Sequence, residues 1–370
     1  MASQRDLSAL QQQIWAGSIP LEIRLASTEC RTYDDSDPYL VDHHRTTLNT
    51  TAQMQCRTPT DRWPQIQVPR LSYIPFLLPR LHAFFAPALI EPDVDASRGW
   101  LTFDGVPLRW HHPLGLLYDL YSGAEPSNPD DDPPATTTAD PPTSPTSSSS
   151  TPASSPPLPW RLTAHFTTPA PPSLVPLDPA YKAHHDAFVN AVKEADFLRN
   201  GTAKAAMSLS KDASDRLWAA VRAGDLPAYN AVNGRMLLNP PGAGPLRHVP
   251  MKLYLPGAPV AAAAADEAGG GEQQGPVAAS LRVVQALVPP TLAGGGSGAP
   301  SARGGGGQPQ TLGTALNGVL PSLFPSRRSP LLAQPVLHGA VVPLSAPVEE
   351  LLRAAAYADG FLHVAIVMMG

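Results

Sequence analysis

The sequence predicts an α+β protein in which two small sheets, each packed on one helix, flank a helix-rich middle. Three observations predict it. Apolar residues alternate at period two only in the outer parts of the chain. From Pro179 to Leu238 the period is helical throughout. The order strand, strand, helix, strand, helical turn, strand runs on both sides of that middle.

Leu7, Leu10 and Ile14 fall at i, i+3 and i+7, so the chain opens on a short amphipathic helix, residues 1–17, with Gly17 placed to end it. Ile19, Leu21, Ile23 and Leu25 then alternate with Pro, Glu and Arg as a half-buried strand. Residues 26–62 are polar and featureless. Leu71, Tyr73 and Leu77 suggest a second strand, and Leu81, Phe84, Phe85 and Ala88 a helix with Pro79 near its start. Trp100 to Phe103, the turn pair Asp104-Gly105 and Val106 to Trp110 read as a hairpin. Leu114, Leu117 and Tyr121 lie on one helix face, and Trp160, Leu162, Ala164 and Phe166 alternate again. Residues 18–168 form the first sheet unit.

Residues 178–240 hold three expected helices. The first, Pro179 to Arg199, ends at Gly201. The second runs from the N-cap Ser210 to Ala223, with Gly224 beyond it. The third starts at the N-cap Asp225, has Pro227 in its first turn and continues to Leu237.

Residues 245–370 return to strands: Val249 to Leu255, Leu281 to Val288, a strand with a glycine turn from Val336 to Leu344, and Leu362 to Ile366. Thr311 caps a helix with Leu312, Leu316 and Val319, and Ser345 caps one with Leu351, Leu352 and Ala355. The two outer units also match loosely at a few spaced positions. Gly105 stands eight before Pro113 and twelve before Leu117, as Gly339 stands before Pro347 and Leu351. A sheet on one helix, with its late strand following a short helical connection, is the ubiquitin-like β-grasp plan, so the architecture expected is two β-grasp domains around a helical bundle.

Composition adds disordered insertions and narrows function. Of 370 residues, 45 are proline and 28 glycine. The excess is concentrated in 122–159 (Ser, Thr, Pro, Asp), 257–276 (Ala, Gly) and 289–310 (Gly, Ser, Pro). Such segments bury too little apolar surface to offset ordering at about 1–2 kcal/mol per residue. Deleting 127–155 is therefore expected to leave the melting temperature and function nearly unchanged, because loop closure costs only about 0.6 kcal/mol per doubling of length. A fall of many degrees in a thermal melt would show that the segment packs. The net charge of −5 with no basic stripe argues against nucleic acid as a partner. Cys30 and Cys56 make neither a C-x-x-C pair nor a disulfide framework, which suits a reducing compartment. Met1 to Trp15 lacks the apolar core of a signal peptide, and Phe361 to Met369 is far short of the roughly 20 residues of a membrane span. A soluble, intracellular protein with at most peripheral membrane contact is expected.

Enzyme constellations are absent: there is no G-x-S-x-G elbow and no phosphate-binding loop. His43-His44, His111-His112 and His184-His185 lack partners at metal-ligand spacing. Lysine is more informative, with five against 21 arginines, and Lys182, Lys193, Lys204 and Lys211 all lie in one helical stretch. At about 100° per residue from Phe188, Val192 and Ala195 fall on the apolar face and Lys193 near 140°. Lys182 projects from almost the same face. A solvated helix lysine accounts for either, and geometry does not separate them.

Several segments resemble the autophagy protein 5 family: Trp15-Ala16-Gly17-Ser18-Ile19-Pro20, Pro69-Arg70-Leu71-Ser72-Tyr73, Gly105-Val106-Pro107-Leu108-Arg109-Trp110-His111-His112-Pro113-Leu114-Gly115-Leu116-Leu117, Lys193-Glu194-Ala195-Asp196-Phe197-Leu198, Leu337-His338-Gly339 and Phe361-Leu362-His363-Val364. They span nearly the whole foldable chain. The resemblance implies two ubiquitin-like domains around a helical one, with no catalytic triad, cofactor or metal. It implies that Lys193, in the K-E-A-D motif, accepts the ubiquitin-like autophagy protein 12 through an isopeptide bond. The conjugate then acts like a ubiquitin ligase, promoting transfer of autophagy protein 8 to phosphatidylethanolamine. Implied partners are the conjugating enzymes and a coiled-coil protein, autophagy protein 16. The implied location is cytoplasmic and peripheral on the preautophagosomal membrane.

By the same resemblance Arg70, Leu114, Gly115 and Leu117 border the partner's helix, Gly115 leaving room for its approach. Glu194 and Asp196 are candidates to orient the conjugating enzyme, with plain solvation as the other reading. Two further classes compete. An unconjugated adaptor binding a helical partner would give a single band on a denaturing gel. A modifier donor, suggested by Gly370, lacks a flexible tail between its last strand and that glycine.

Overall fold

The computed structural model describes residues 4–31, 66–122, 158–238, 245–259, 279–292 and 308–369. The segments 32–65, 123–157, 260–278 and 293–307, on which most of the expected insertions fall, lie outside the described residues.

Helix α1, Gln4–Ala16, leads through Gly17 into β1, Ser18–Leu25. There follow β2, Ile66–Pro69, α2, Ile74–Phe85, the hairpin β3, Trp100–Phe103, and β4, Val106–Pro107, α3, Leu114–Tyr121, and β5, Trp160–His165. The strand order is β2-β1-β5-β3-β4, with β1 and β5 parallel at the centre. Ile19, Leu21, Ile23 and Leu25 pack with Leu78, Leu81 and Phe85 of α2.

Helix α2 starts earlier than the sequence suggests and takes in part of the segment expected to be strand. Pro75 sits in its first turn, where no N–H is needed, and Ile74, Leu77, Leu78, Leu81 and Phe85 make a buried stripe that outweighs the alternation of Leu71 and Tyr73. Pro79 is consequently inside the helix. The segment from 26 is also not featureless at its start. Ser27–Glu29 is a 3-10 turn, and the buried Glu29 carboxylate accepts the N–H groups of Phe166 (2.7 Å), Thr167 (3.1 Å) and Thr168 (2.8 Å). Burial alone would raise this carboxyl, but the hydrogen bonds outweigh it and hold it below the usual carboxylate range.

The middle comprises α4, Lys182–Asn200, α5, Lys204–Met207, α6, Lys211–Ala223, and α7, Leu226–Val232, which continues as a π-type turn over Asn233–Leu238. Ser210 and Asp225 cap α6 and α7 by accepting the N–H groups of Ala213 and Ala228. Gly201 and Gly224 end α4 and α6 in the left-handed region.

The second unit has β6, Val249–Pro259, β7, Ala279–Val288, a ribbon of β8, Thr291–Leu292, with β9, Gln308–Pro309, helix α8, Leu312–Val319, the hairpin β10, Ala333–Leu337, and β11, Ala340–Val341, helix α9, Val348–Ala355, and β12, Leu362–Met368. Its order, β11-β10-β12-β6-β7 with β6 and β12 parallel, reproduces the first sheet strand for strand. Two ubiquitin-like domains therefore flank a helical bundle. Asp104-Gly105 (φ 47° and 77°) and His338-Gly339 (φ 53° and 85°) make the same left-handed hairpin turn in each.

Three expectations here are corrected. The segment 289–310 is not wholly irregular, because both its ends pair in the β8–β9 ribbon. The segment 257–276 loses its start to β6. Pro347, not Ser345, is the N-cap of α9, and its side chain gives no cap bond.

Candidate functional site

Helix α4 carries the lysine singled out by sequence and joins both sheet domains. The Asp178 carboxylate accepts the first free N–H groups, those of Lys182 (3.0 Å) and Ala183 (2.8 Å). His184, Phe188, Val192 and Ala195 form the buried stripe. Lys193 lies on the flank of that stripe, half-buried, and its amine makes no hydrogen bond or ion pair among the described residues. Lys182, Lys204 and Lys211 are exposed. Exposure alone therefore does not rank Lys193 above the others.

The two acids of the K-E-A-D motif have separate jobs. Glu194 reaches the second sheet domain, where its carboxylate lies 3.3 Å from Lys252 Nζ and accepts from Gln285 Nε2 at 3.0 Å. Lys252 Nζ stands 3.9 Å from the centre of the Phe361 ring. Asp196 is 0% exposed, and its carboxylate accepts the Ala206 N–H (2.8 Å) and Asn200 Nδ2 (2.7 Å). A fully buried carboxylate that caps α5 cannot orient an incoming enzyme, so that expectation is withdrawn for Asp196. Phe197, one turn beyond Lys193, is an exposed aromatic on the same flank.

Between the three units lies a cleft of about 640 Å³, with Arg109 and His112 from the first domain, Asn190 and Glu194 from α4, and Lys252 and Gln285 from the second. Its floor holds a buried chain in which Tyr254 Oη lies 2.7 Å from His363 Nδ1 and His363 Nε2 lies 2.8 Å from Asp359 Oδ2. Burial would raise the Asp359 carboxyl, but His363 and the Phe361 N–H hold it below its usual range. The chain staples β6 to β12 inside the domain. Among the described residues no cluster of three or more His, Cys, Asp or Glu is placed to hold a metal ion.

His184 shows how the bundle docks on the first domain. It is 2% exposed and ringed by Tyr73, Phe76, Trp110 and Trp218 at centroid distances of 4.9 to 5.7 Å. Burial in that box, with His111, His185 and Arg222 adding to it, pushes the imidazole down to about 3. In the unfolded chain the same group titrates near ~6.5. Below pH 6.5 the unfolded chain therefore binds a proton that the folded one refuses, and stability present above that pH is lost as pH falls toward 3. At pH 5 the cost is about 2 kcal/mol for this one group. Urea titrations at pH 7 and pH 5 are expected to show the loss, and His184→Phe to remove its share. A variant with the wild-type slope would show that His184 does not carry it.

The residues expected at a partner surface are brought together, but not as a surface. Leu114 and Leu117 are buried in the first domain's core. The space beside Gly115 is filled by Arg70: a Cβ there would stand 2.8 Å from Arg70 Cβ and 2.9 Å from its carbonyl oxygen, which already accepts the Gly115 N–H at 2.7 Å. Arg70 Nη2 donates to Gly115 O at 3.2 Å and forms an ion pair with Asp119, both side chains being largely buried. Asp119 also accepts the backbone N–H of Gly339 in the second domain's hairpin turn. The absent side chain at Gly115 thus admits Arg70. Sequence reasoning passed over Asp119 altogether, although it stands four residues beyond Gly115 on the same helix face.

Comparison with known proteins adds the family. The description "Autophagy protein ATG5, UblA domain" matches residues 46–166, its alpha-helical bundle region 181–239 and its UblB domain 248–366. The chain is 50% identical over 370 residues to autophagy protein 5 of Phaeosphaeria nodorum, covering all of both. It is 45% identical to that of Neosartorya fischeri, covering 100% of this chain and 98% of that one. The crystal structure of Kluyveromyces marxianus Atg5 superposes with a TM-score of 0.59 at 18% identity, covering 97% and 99% of the two chains, a likeness of fold.

Proposed function

The chain belongs to the autophagy protein 5 family, which supports a role in autophagy, and on that premise we propose that it is the acceptor of the ubiquitin-like modifier autophagy protein 12 at Lys193. The observation that carries this reading is the Lys193 amine, unpaired among the described residues, in the K-E-A-D-F-L segment of a helix fixed at both ends and tied to the second domain through Glu194. The Lys193 amine loses a proton and attacks the carbonyl carbon of the modifier's C-terminal thioester. An amide forms, the carbon–sulfur bond breaks, and the thiolate leaves on the conjugating enzyme. The acceptor needs no catalytic residue or cofactor of its own, because the loaded enzyme supplies both the activated carbonyl and the local deprotonation.

In this reading the conjugate is a ligase-like scaffold. It promotes autophagy protein 8 transfer to phosphatidylethanolamine, is bound by the helical partner autophagy protein 16, and works peripherally on the preautophagosomal membrane. Mass spectrometry of the slow-migrating species from cells tests the first step. A branched peptide at Lys193 is expected. A single unmodified band in the presence of the full conjugation machinery would instead favour an adaptor that binds a helical partner without being conjugated.

A further inference from the structure

We propose that the loop 326–332, with the end of β12, docks this protein on an anionic phospholipid bilayer, a proposal that rests on the peripheral membrane reading above and names its contact site. Backbone pairing there brings together two segments that carry four large, exposed apolar side chains. Ala333 at the start of β10 pairs with Met368 at the end of β12, and the Met369 N–H donates to Leu332 O at 2.9 Å. Leu331, Leu332, Met368 and Met369 are 58%, 47%, 49% and 43% exposed. Single exposed apolar residues are ordinary, but four adjoining ones need an account.

Charge selects the occupant. Arg327 and Arg328 lie three to five residues before the two leucines and are exposed. Arg327 Nε donates to the neutral Asn317 Oδ1 at 3.0 Å, and neither guanidinium has a carboxylate partner among the described residues. No Asp or Glu occurs from Thr311 to Pro347 or from Gly360 to the end, in a chain whose net charge is −5. A local cationic rim beside aliphatic tips, against an acidic average, complements a negatively charged lipid surface, where arginines hold headgroups and leucines enter the acyl boundary. A protein interface would more often centre on exposed Tyr, Trp or Phe, and this patch has none.

The test uses the full chain and flotation with phosphatidylcholine vesicles, with and without phosphatidylserine. Binding is expected with phosphatidylserine and should weaken as salt rises. Leu331→Asp with Leu332→Asp, and separately Arg327→Glu with Arg328→Glu, should each cut the bound fraction roughly tenfold. Melting temperature and conjugation at Lys193 should stay unchanged. Two outcomes sink the site: variants that float like wild type, or a wild-type chain that self-associates through this patch on gel filtration while the variants do not. A wild-type chain that floats on no vesicle overturns the membrane reading itself, and loss of conjugation in wild type overturns only the acceptor reading.

Discussion

Lys193→Arg is expected to abolish the conjugate completely while leaving the unfolding free energy within the scatter of ordinary surface substitutions, about 0.5 kcal/mol. The chemistry and the packing separate cleanly at this position. Arginine keeps the positive charge, the long aliphatic stem and nearly the same helix propensity, so α4 loses nothing that holds it. Lys193 is half-buried, and among the described residues its amine has no hydrogen bond or ion pair to be broken. The guanidinium cannot shed a proton at any physiological pH, so it cannot attack a thioester. Lys182→Arg, at an exposed position on the same helix, is the matched control and should conjugate normally. Glu194→Gln is a second control. It weakens a partly exposed pair with Lys252, worth about 0.2–1 kcal/mol, and should reduce stability slightly without removing the acceptor. A conjugate that survives Lys193→Arg but vanishes with Lys182→Arg would move the site to the other lysine. One that survives both would place it outside α4.

The sheet domains were legible because their signals are local. Alternating Ile19, Leu21, Ile23 and Leu25 give the strand, and a hairpin whose turn needs two left-handed residues shows itself in Asp104-Gly105 and again in His338-Gly339. Ser210, Asp225, Gly201 and Gly224 marked helix ends for the same reason: a cap bonds within four residues of itself. What was not legible depends on contacts between distant residues. Asp196 reads as a surface acid until α5 folds back on it, ten residues away. Glu29 lies in a polar run, and its three donors come 137 to 139 residues later. Gly115 announces a close approach but not what approaches, since its neighbour Arg70 comes from another element 45 residues earlier.

Asp119→Ala is expected to destabilise the protein by about 3–5 kcal/mol, because it strands the Arg70 guanidinium in the interior without its counter-charge. Against a total of about 5–15 kcal/mol for a folded domain, that is a large fraction. The loss should also be specific in place. Asp119 and Arg70 belong to the first sheet domain, while Gly339, whose N–H Asp119 accepts and against which the Arg70 guanidinium packs, belongs to the second. Removing the pair should therefore loosen the two domains from each other before either unfolds, and urea melts followed by two probes, Trp fluorescence and far-UV circular dichroism, should cease to coincide. Gly115→Glu attacks the same joint from the other side. Its Cβ would meet Arg70 Cβ at 2.8 Å, and overpacking of that kind costs about 1–3 kcal/mol before the added carboxylate is counted. Any loss of partner binding in Gly115→Glu would then follow from the displaced joint, and Asp119→Ala, which adds no bulk, should share it. If Gly115→Glu instead melts like wild type and loses only the partner's helix in a calorimetric titration, while Asp119→Ala keeps it, Gly115 lies on an open binding surface and the packing of Arg70 against it is not what the residue is for.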